Sequence, residues 1–159
     1  MSMADRFLIR PAAKEDLDAL VAFSRAMAFE TEGKRLDRER LRRGTLAVLE
    51  STEKGFYLVA ELQADTPAVV GQLLITYEWS DWRNATFWWI QSVYVDPAWR
   101  RRGVYRRLYE RVLRDAQGQP DVCGLRLYVE QGNDIAQSVY HALNLHRTHY
   151  QIWEVDFVL

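Results

Sequence analysis

Residues 88–113, WWIQSVYVDPAWRRRGVYRRLYERVL, decide how this chain is read. An apolar strand runs into Asp96-Pro97. Three arginines, Arg100, Arg101 and Arg102, then precede a single glycine, Gly103, and a helix opens at Val104. Strand, basic loop, glycine and helix start, in that order, build an anion site. The first amides of a helix lack intrahelical partners and lie at the positive end of its dipole. Gly103 lets main chain approach a ligand with no side chain between them. A phosphate or pyrophosphate is the guest that such a corner suits.

Working outward, the helix continues. Val104, Leu108 and Val112 recur at i, i+4 and i+8, which predicts a buried stripe as far as about Gln117, stopped by Gly118-Gln119-Pro120. Cys123 to Val129 alternates as a strand. Asn133 or Asp134 caps a short helix, Ile135 to Ala142, and His149 to Leu159 alternates as a closing strand. Upstream, Phe7 to Arg10 before Pro11 reads as a first strand, and Ala12 to Phe29 has helical spacing. Asp37 can cap a helix over Arg38 to Glu50. Phe56 to Leu62, Val69 to Trp79 and Thr86 to Val95 read as a three-stranded meander with short polar loops. The order β-α-α-β-β-β-α-β-α-β suits an α+β sheet sandwich better than a doubly wound fold.

Composition narrows the function. The chain has 159 residues and reads as one domain, 1–159. Net charge is −1 and the isoelectric point about 6.3, so the basic residues of 100–114 are a local concentration in a mildly acidic protein. That favours a small polyanion over a nucleic acid, which asks for a basic surface overall. A nucleic-acid-binding domain is the third and weakest reading. Cys123 is the only cysteine, so neither an internal disulfide nor a cysteine metal cluster forms. His141, His146 and His149 lie outside any metal-ligand spacing, and no metal is expected. No run has the length of a secretory signal or a membrane span, which gives a soluble, cytoplasmic protein with no membrane partner as the expectation. The aromatic residues Trp79, Trp82, Phe87, Trp88, Trp89 and Tyr94 gather around one hairpin. Most are expected in the core, with Trp79 or Trp82 as a minority candidate for an aromatic wall against a cationic amine.

Two motifs carry a resemblance. Val93-Tyr94-Val95-Asp96-Pro97, then Arg100-Arg101-Arg102-Gly103-Val104-Tyr105, resembles the coenzyme-A-binding core of the GNAT superfamily of N-acetyltransferases. The signature there is Gln/Arg-x-x-Gly-x-Gly/Ala after a strand and a proline. Tyr105 departs from it, standing where a small residue is usual and crowding the cradle. The second motif, Asn133 to Leu145, matches the family spacing at Asn133, Ala136 and Tyr140, while Asn144-Leu145 replaces a Gly-Phe pair. Asn is able to take the left-handed conformation that a helix end needs.

The resemblance implies a GNAT fold: α+β (α/β mixed), with a central, mostly antiparallel sheet of roughly six to seven strands flanked by about four helices. It implies acetyl-CoA (coenzyme A) as co-substrate. Amides of the Arg101–Arg106 turn would hold its pyrophosphate. Arg100, Arg101, Arg106 and Arg107 are the candidates to face its adenosine phosphate, with Arg102, Gly103, Val104 and Tyr105 completing the cradle. Main chain of Val93, Tyr94 and Val95 would pair with the pantetheine arm, and the Asn133 amide would hold it. Tyr140 would protonate the departing thiolate, a general-acid role. Glu130, directly after a strand, and Glu78, at the end of another, are the candidate general bases. Gln91 is placed to orient a water. The acceptor would be a small-molecule or peptide amine, attacked directly, since Cys123 has no histidine near it in sequence to make it a nucleophile. Family members often dimerise through sheet edges or the C-terminal strand, and the apolar end at Trp153, Phe157 and Leu159 suits a homodimer. The rival reading is a non-catalytic acyl-CoA-binding or sensor module of the same fold.

Overall fold

A computed structural model describes residues 6–158. The chain forms two compact units, residues 1–127 and 128–159, and each is described by itself.

The first unit is one sheet with helices on both faces. Its strands are β1 (Phe7–Pro11), β2 (Phe56–Leu62), β3 (Ala68–Ser80), β4 (Ala85–Val95) and β5 (Val122–Arg126), in that spatial order. β1 to β4 pair antiparallel, whereas β5 lies parallel to β4. The helices are α1 (Leu17–Glu32), α2 (Arg38–Leu49) and α3 (Val104–Gln117). Leu74 of β3 packs with Leu20 of α1, Val48 and Leu49 of α2, and Tyr57 and Val59 of β2. A Cβ on Gly71, three residues before Leu74 on the same strand, would meet Val104 and Leu108 of α3. An odd spacing in a strand means opposite faces. So α1 and α2 cover one face and α3 the other.

The local signals explain the element ends. Asp37 Oδ1 accepts the Arg40 amide at 2.7 Å, the expected cap of α2. Helix α1 begins later than its spacing predicts, because a 3-10 turn at Lys14–Asp16 precedes it. There the Asp16 carboxylate takes the Ala13 amide at 2.8 Å and Arg10 Nη1 at 2.7 Å, and Arg10 also reaches Glu61. Burial raises the Asp16 pKa, but the Arg10 and Ala13 bonds outweigh it and hold the carboxyl below its ordinary value. At the other end Gly33 closes α1 with φ 65.

Among its described residues the second unit holds one regular element, α4 (Asp134–Ala142). Of the two candidate caps it is Asn133 that serves, its Oδ1 accepting the Ala136 amide at 3.0 Å, and Asp134 is the first residue of the helix. Asn144 takes the left-handed conformation after it, with φ 62.

Five strands form among the described residues, fewer than the six to seven expected. The missing one is the closing strand at His149–Leu159, where residues 149–158 carry no regular element. Leu159, like residues 1–5, lies outside the described residues. The alternation of Ile152, Glu154 and Asp156 against Trp153, Val155 and Phe157 suits a sheet face. A strand, however, exists only through its ladder, and no strand among the described residues pairs with this segment.

Candidate active site

The site is built on a strand whose two halves differ. Along Thr86–Trp89, β4 is paired on both sides, with β3 and with β5. From Ile90 to Val95 only β3 remains beside it among the described residues, so one edge of main chain is open. A bulge lies in this open half. Gln72 pairs with Tyr94 and Leu74 with Gln91, so Ser92 and Val93 together face Leu73. Ser92 has φ 49, the left-handed region, which a non-glycine residue seldom enters.

The open edge leads into the basic corner. The Asp96 amide donates to Val70 O at 2.9 Å, tying the strand end to β3. Asp96 Oδ1 accepts the Ala98 amide, capping a 3-10 turn at Pro97–Trp99. Trp99 packs edge-on against Phe7, and the Arg102 guanidinium lies over the Trp99 ring at 5.2 Å. Gly103 then turns with φ 80, and α3 starts at Val104. The first helical bond from Gly103 runs from the Arg107 amide to Gly103 O at 3.1 Å. The amides of Val104, Tyr105 and Arg106 precede that ladder at the positive end of the helix. A Cβ at Gly103 would meet no atom within 4 Å, so space lies next to the turn. The close approach of α3 depends instead on Gly71, where a Cβ would lie 3.0 Å from Val104 Cγ1 and 3.3 Å from Tyr94 O. The corner therefore fits a polyanion: main-chain donors, arginines and room for a ligand coincide.

The arginines divide into two groups. Arg101, Arg102 and Arg106 are exposed, and Arg106 pairs with Glu110 one turn on at 2.8 Å. Arg100 is tied into the fold. Its Nη2 meets Glu30 Oε2 at 2.7 Å, its Nε donates to Val95 O at 2.9 Å, and its guanidinium lies 5.2 Å from the Tyr94 ring centre. The Tyr94 hydroxyl donates to the other Glu30 oxygen at 2.7 Å. Arg100 and Tyr94 hold the Glu30 carboxyl below its ordinary value. Burial, then the bond to Glu30, pushes the Tyr94 phenol up. Glu30 thus fastens α1 to the loop. It was missed in the sequence, where the acidic end of a helix carries no motif.

Glu78 lies on the α1 face of the sheet with both oxygens engaged. The Trp89 indole N–H donates to Oε2 at 2.6 Å and Arg126 Nη1 to Oε1 at 2.5 Å. Arg126 also sits 3.7 Å from the centre of the Phe87 ring, with Arg83 at 4.9 Å from the same ring. Gln91 donates to Thr76 Oγ1 from the neighbouring position. Of the hairpin aromatics, the neighbours Phe87 and Trp88 are both buried, so both faces of the sheet are covered here, whereas Trp79 near the end of β3 and Trp82 in the turn are exposed.

Glu130, Asn133 and Tyr140 belong to the second unit. Glu130 Oε2 accepts the Gly132 amide at 2.7 Å and its carbonyl accepts the Asn133 amide at 3.0 Å, so it shapes the turn before α4. Tyr140 lies in the last turn of α4, and its carbonyl accepts the Leu143 and Leu145 amides. Burial pushes its phenol up. No group of three or more His, Cys, Asp or Glu suited to a metal occurs among the described residues.

An open strand edge running into an arginine-rich helix start suits a ligand with an anionic head and an extended arm. The profile of the Acetyltransferase (GNAT) family matches residues 15–144. A possible acetyltransferase from Clostridium difficile 630 is 40% identical, covers 97% of this chain and 99% of its own, and superposes with a TM-score of 0.88. Two more distant structures share the fold. A predicted acetyltransferase from Clostridium acetobutylicum, solved with acetyl-CoA, is 16% identical over 94% of this chain and 96% of its own, with a TM-score of 0.74. AAC(6')-Iy, in complex with the bisubstrate analogue CoA-S-monomethyl-acetylneamine, is 18% identical over 95% and 98%, with a TM-score of 0.70. No curated protein matches the chain at a significant level. The chain belongs to the GNAT acetyltransferase family and is an acetyl-CoA-dependent acetyltransferase.

Proposed function

We propose that this protein transfers the acetyl group of acetyl-CoA directly to a primary amine, with residues 1–159 acting as a single domain in the cytoplasm. The observation that carries this is the open half of β4 leading through Arg100–Gly103 to the start of α3. Amides of Val104, Tyr105 and Arg106 take the pyrophosphate, next to Gly103, and Arg101, Arg102 and Arg106 neutralise phosphate charge. Arg100 adds charge while keeping the loop in shape through Glu30. Main chain of Val93, Tyr94 and Val95 pairs with the peptide-like arm as an added strand would. Asn133 contributes its side-chain amide.

In the reaction the amine nitrogen forms a bond to the thioester carbon as its proton passes to a general base. The carbonyl carries negative charge in the tetrahedral state, which a main-chain N–H of the open half stabilises. The C–S bond then breaks and the thiolate takes a proton from the Tyr140 phenol. A phenol carries its proton at neutral pH, the form that a donor needs. Glu130 and Glu78 are the base candidates. Glu78 acts through water, since its oxygens already serve Trp89 and Arg126.

The acceptor is a small-molecule or peptide amine. A homodimer joined through sheet edges or the C-terminal segment, with its apolar residues Trp153, Phe157 and Leu159, belongs to the same reading. Among the described residues no helix is long and apolar enough to cross a membrane.

Two experiments test the proposal. Acetyl-CoA should raise Tm where ATP does not, since a ligand at about 100 times its Kd adds roughly 2.7 kcal/mol to the native state. Thiol release with a panel of small amines, polyamines and peptides should then give amine-dependent turnover. Equal shifts with ATP, or no turnover on any amine, would refute it.

A further inference from the structure

We propose that Gln72 is a positioning residue for acetyl transfer, aiming the Val93 N–H at the thioester carbonyl; this rests on the acetyl-transfer reading above. Gln72 is the one polar residue in the apolar run Val69-Val70-Gly71-Gln72-Leu73-Leu74-Ile75, and it is fully buried. Its Nε2 donates twice, to Ser24 Oγ of α1 at 3.0 Å and to the Ser92 carbonyl at 3.0 Å. Its Oε1 is buried with no hydrogen-bond partner. Burying an acceptor unsatisfied costs stability, and a leucine or methionine would fill the space without that cost. What the amide achieves is visible at Ser92.

Ser92 is the bulged residue, held at φ 49 against its intrinsic preference. Its carbonyl accepts the hydrogen bond from Gln72 Nε2. A trans peptide is planar, with its C=O and N–H pointing in opposite directions. Fixing the Ser92 carbonyl on Gln72 therefore fixes the Val93 N–H pointing away from Gln72. This occurs in the half of β4 that β5 has left, where a ligand is able to lie along the main chain. A donor held in place before the reaction stabilises developing charge with no reorganisation. The Gln72–Ser24 bond anchors the arrangement to α1, so the bulge is braced from two elements.

The test compares Gln72→Met, which keeps length and apolar volume but has no donor, with the wild type. We expect kcat for acetyl transfer to fall about 100-fold, roughly 2.7 kcal/mol by the rate relation. The KM for acetyl-CoA and the Kd for free CoA, which has no acyl carbonyl, should stay within about twofold, and Tm should fall only modestly, by the loss of the donor to the Ser24 hydroxyl and the Ser92 carbonyl. Adding Ser92→Gly, which enters positive φ without strain, should recover several-fold of the lost kcat. An arm without turnover measures the Val93 amide resonance with acetyl-CoA and with CoA. The two ligands should shift it differently in the wild type and alike in Gln72→Met. A kcat unchanged in Gln72→Met, a parallel loss of kcat, CoA affinity and Tm, or a Val93 resonance indifferent to the acetyl group would each overturn the proposal. If the wild type binds acetyl-CoA but acetylates no amine, the functional reading fails by itself and the Val93 resonance still decides the role of Gln72. If it binds neither coenzyme, both fall together.

Discussion

The two halves of β4 carry the same kind of sequence and do opposite work. Residues 86–89 are locked between two strands, and the Phe87 ring lies against Gly124, where a Cβ would come within 2.8 Å of it. That half is a packed core. Residues 90–95 keep one neighbour, carry a bulge and pass into an exposed basic loop. The first half spends its main-chain groups on the sheet. The second leaves an edge unpaired, and the buried Gln72 together with the Glu30–Tyr94–Arg100 set at the surface braces it in place of a second strand.

The contrast is open to breaking from either side. In the packed half, Phe87→Ala should cost about 3–5 kcal/mol, as for other large aromatic truncations in cores. Urea unfolding would measure it, and the Kd of the folded protein for acetyl-CoA should move less than twofold. In the open half the effects should reverse. Gly103→Val should weaken acetyl-CoA binding about 100-fold by calorimetry, roughly 2.7 kcal/mol. Its stability cost should be only the 1–2 kcal/mol or so of a left-handed residue, because no neighbour stands near the added Cβ.

Two smaller changes sharpen the picture. Gly71→Val forces a branched side chain onto Val104 and Leu108, an overpacking worth about 1–3 kcal/mol. It should lower Tm and, by displacing the start of α3, weaken the coenzyme as well. Glu30→Gln should cost about 0.5–1 kcal/mol, since the pair with Arg100 faces solvent. The sign of its pH dependence follows from a folded pKa below the unfolded one. Ionised Glu30 contributes its stability above the unfolded value of about 4.3 and loses it as the pH falls through the lower folded value. The Tm difference between wild type and Glu30→Gln should therefore be full at pH 7 and vanish in acid.

Much of this was legible in the sequence, for identifiable reasons. The Val104–Leu108–Val112 stripe, the Asp37 and Asn133 caps and the glycine at the strand-to-helix corner are local signals, and they fixed α2, α3, α4 and the loop between β4 and α3. The supports of the open half were not legible. Glu30 reaches Arg100 across 70 positions, and Gln72 reaches Ser24 across 48. No short window contains such a pair. Gln72 did leave a trace as a lone polar residue in an apolar strand, which marks a buried polar group in need of a partner. The closing strand failed for a related reason: alternation states which face a segment would bury and says nothing of whether a partner is there.

The most direct measurement is amide hydrogen exchange along the chain with and without acetyl-CoA. Exchange reports local opening residue by residue. The account predicts new protection at residues 91–95 and in the first turn of α3, with residues 86–89 already protected and unchanged. Protection confined to other elements, or none in the open half of β4, would contradict it.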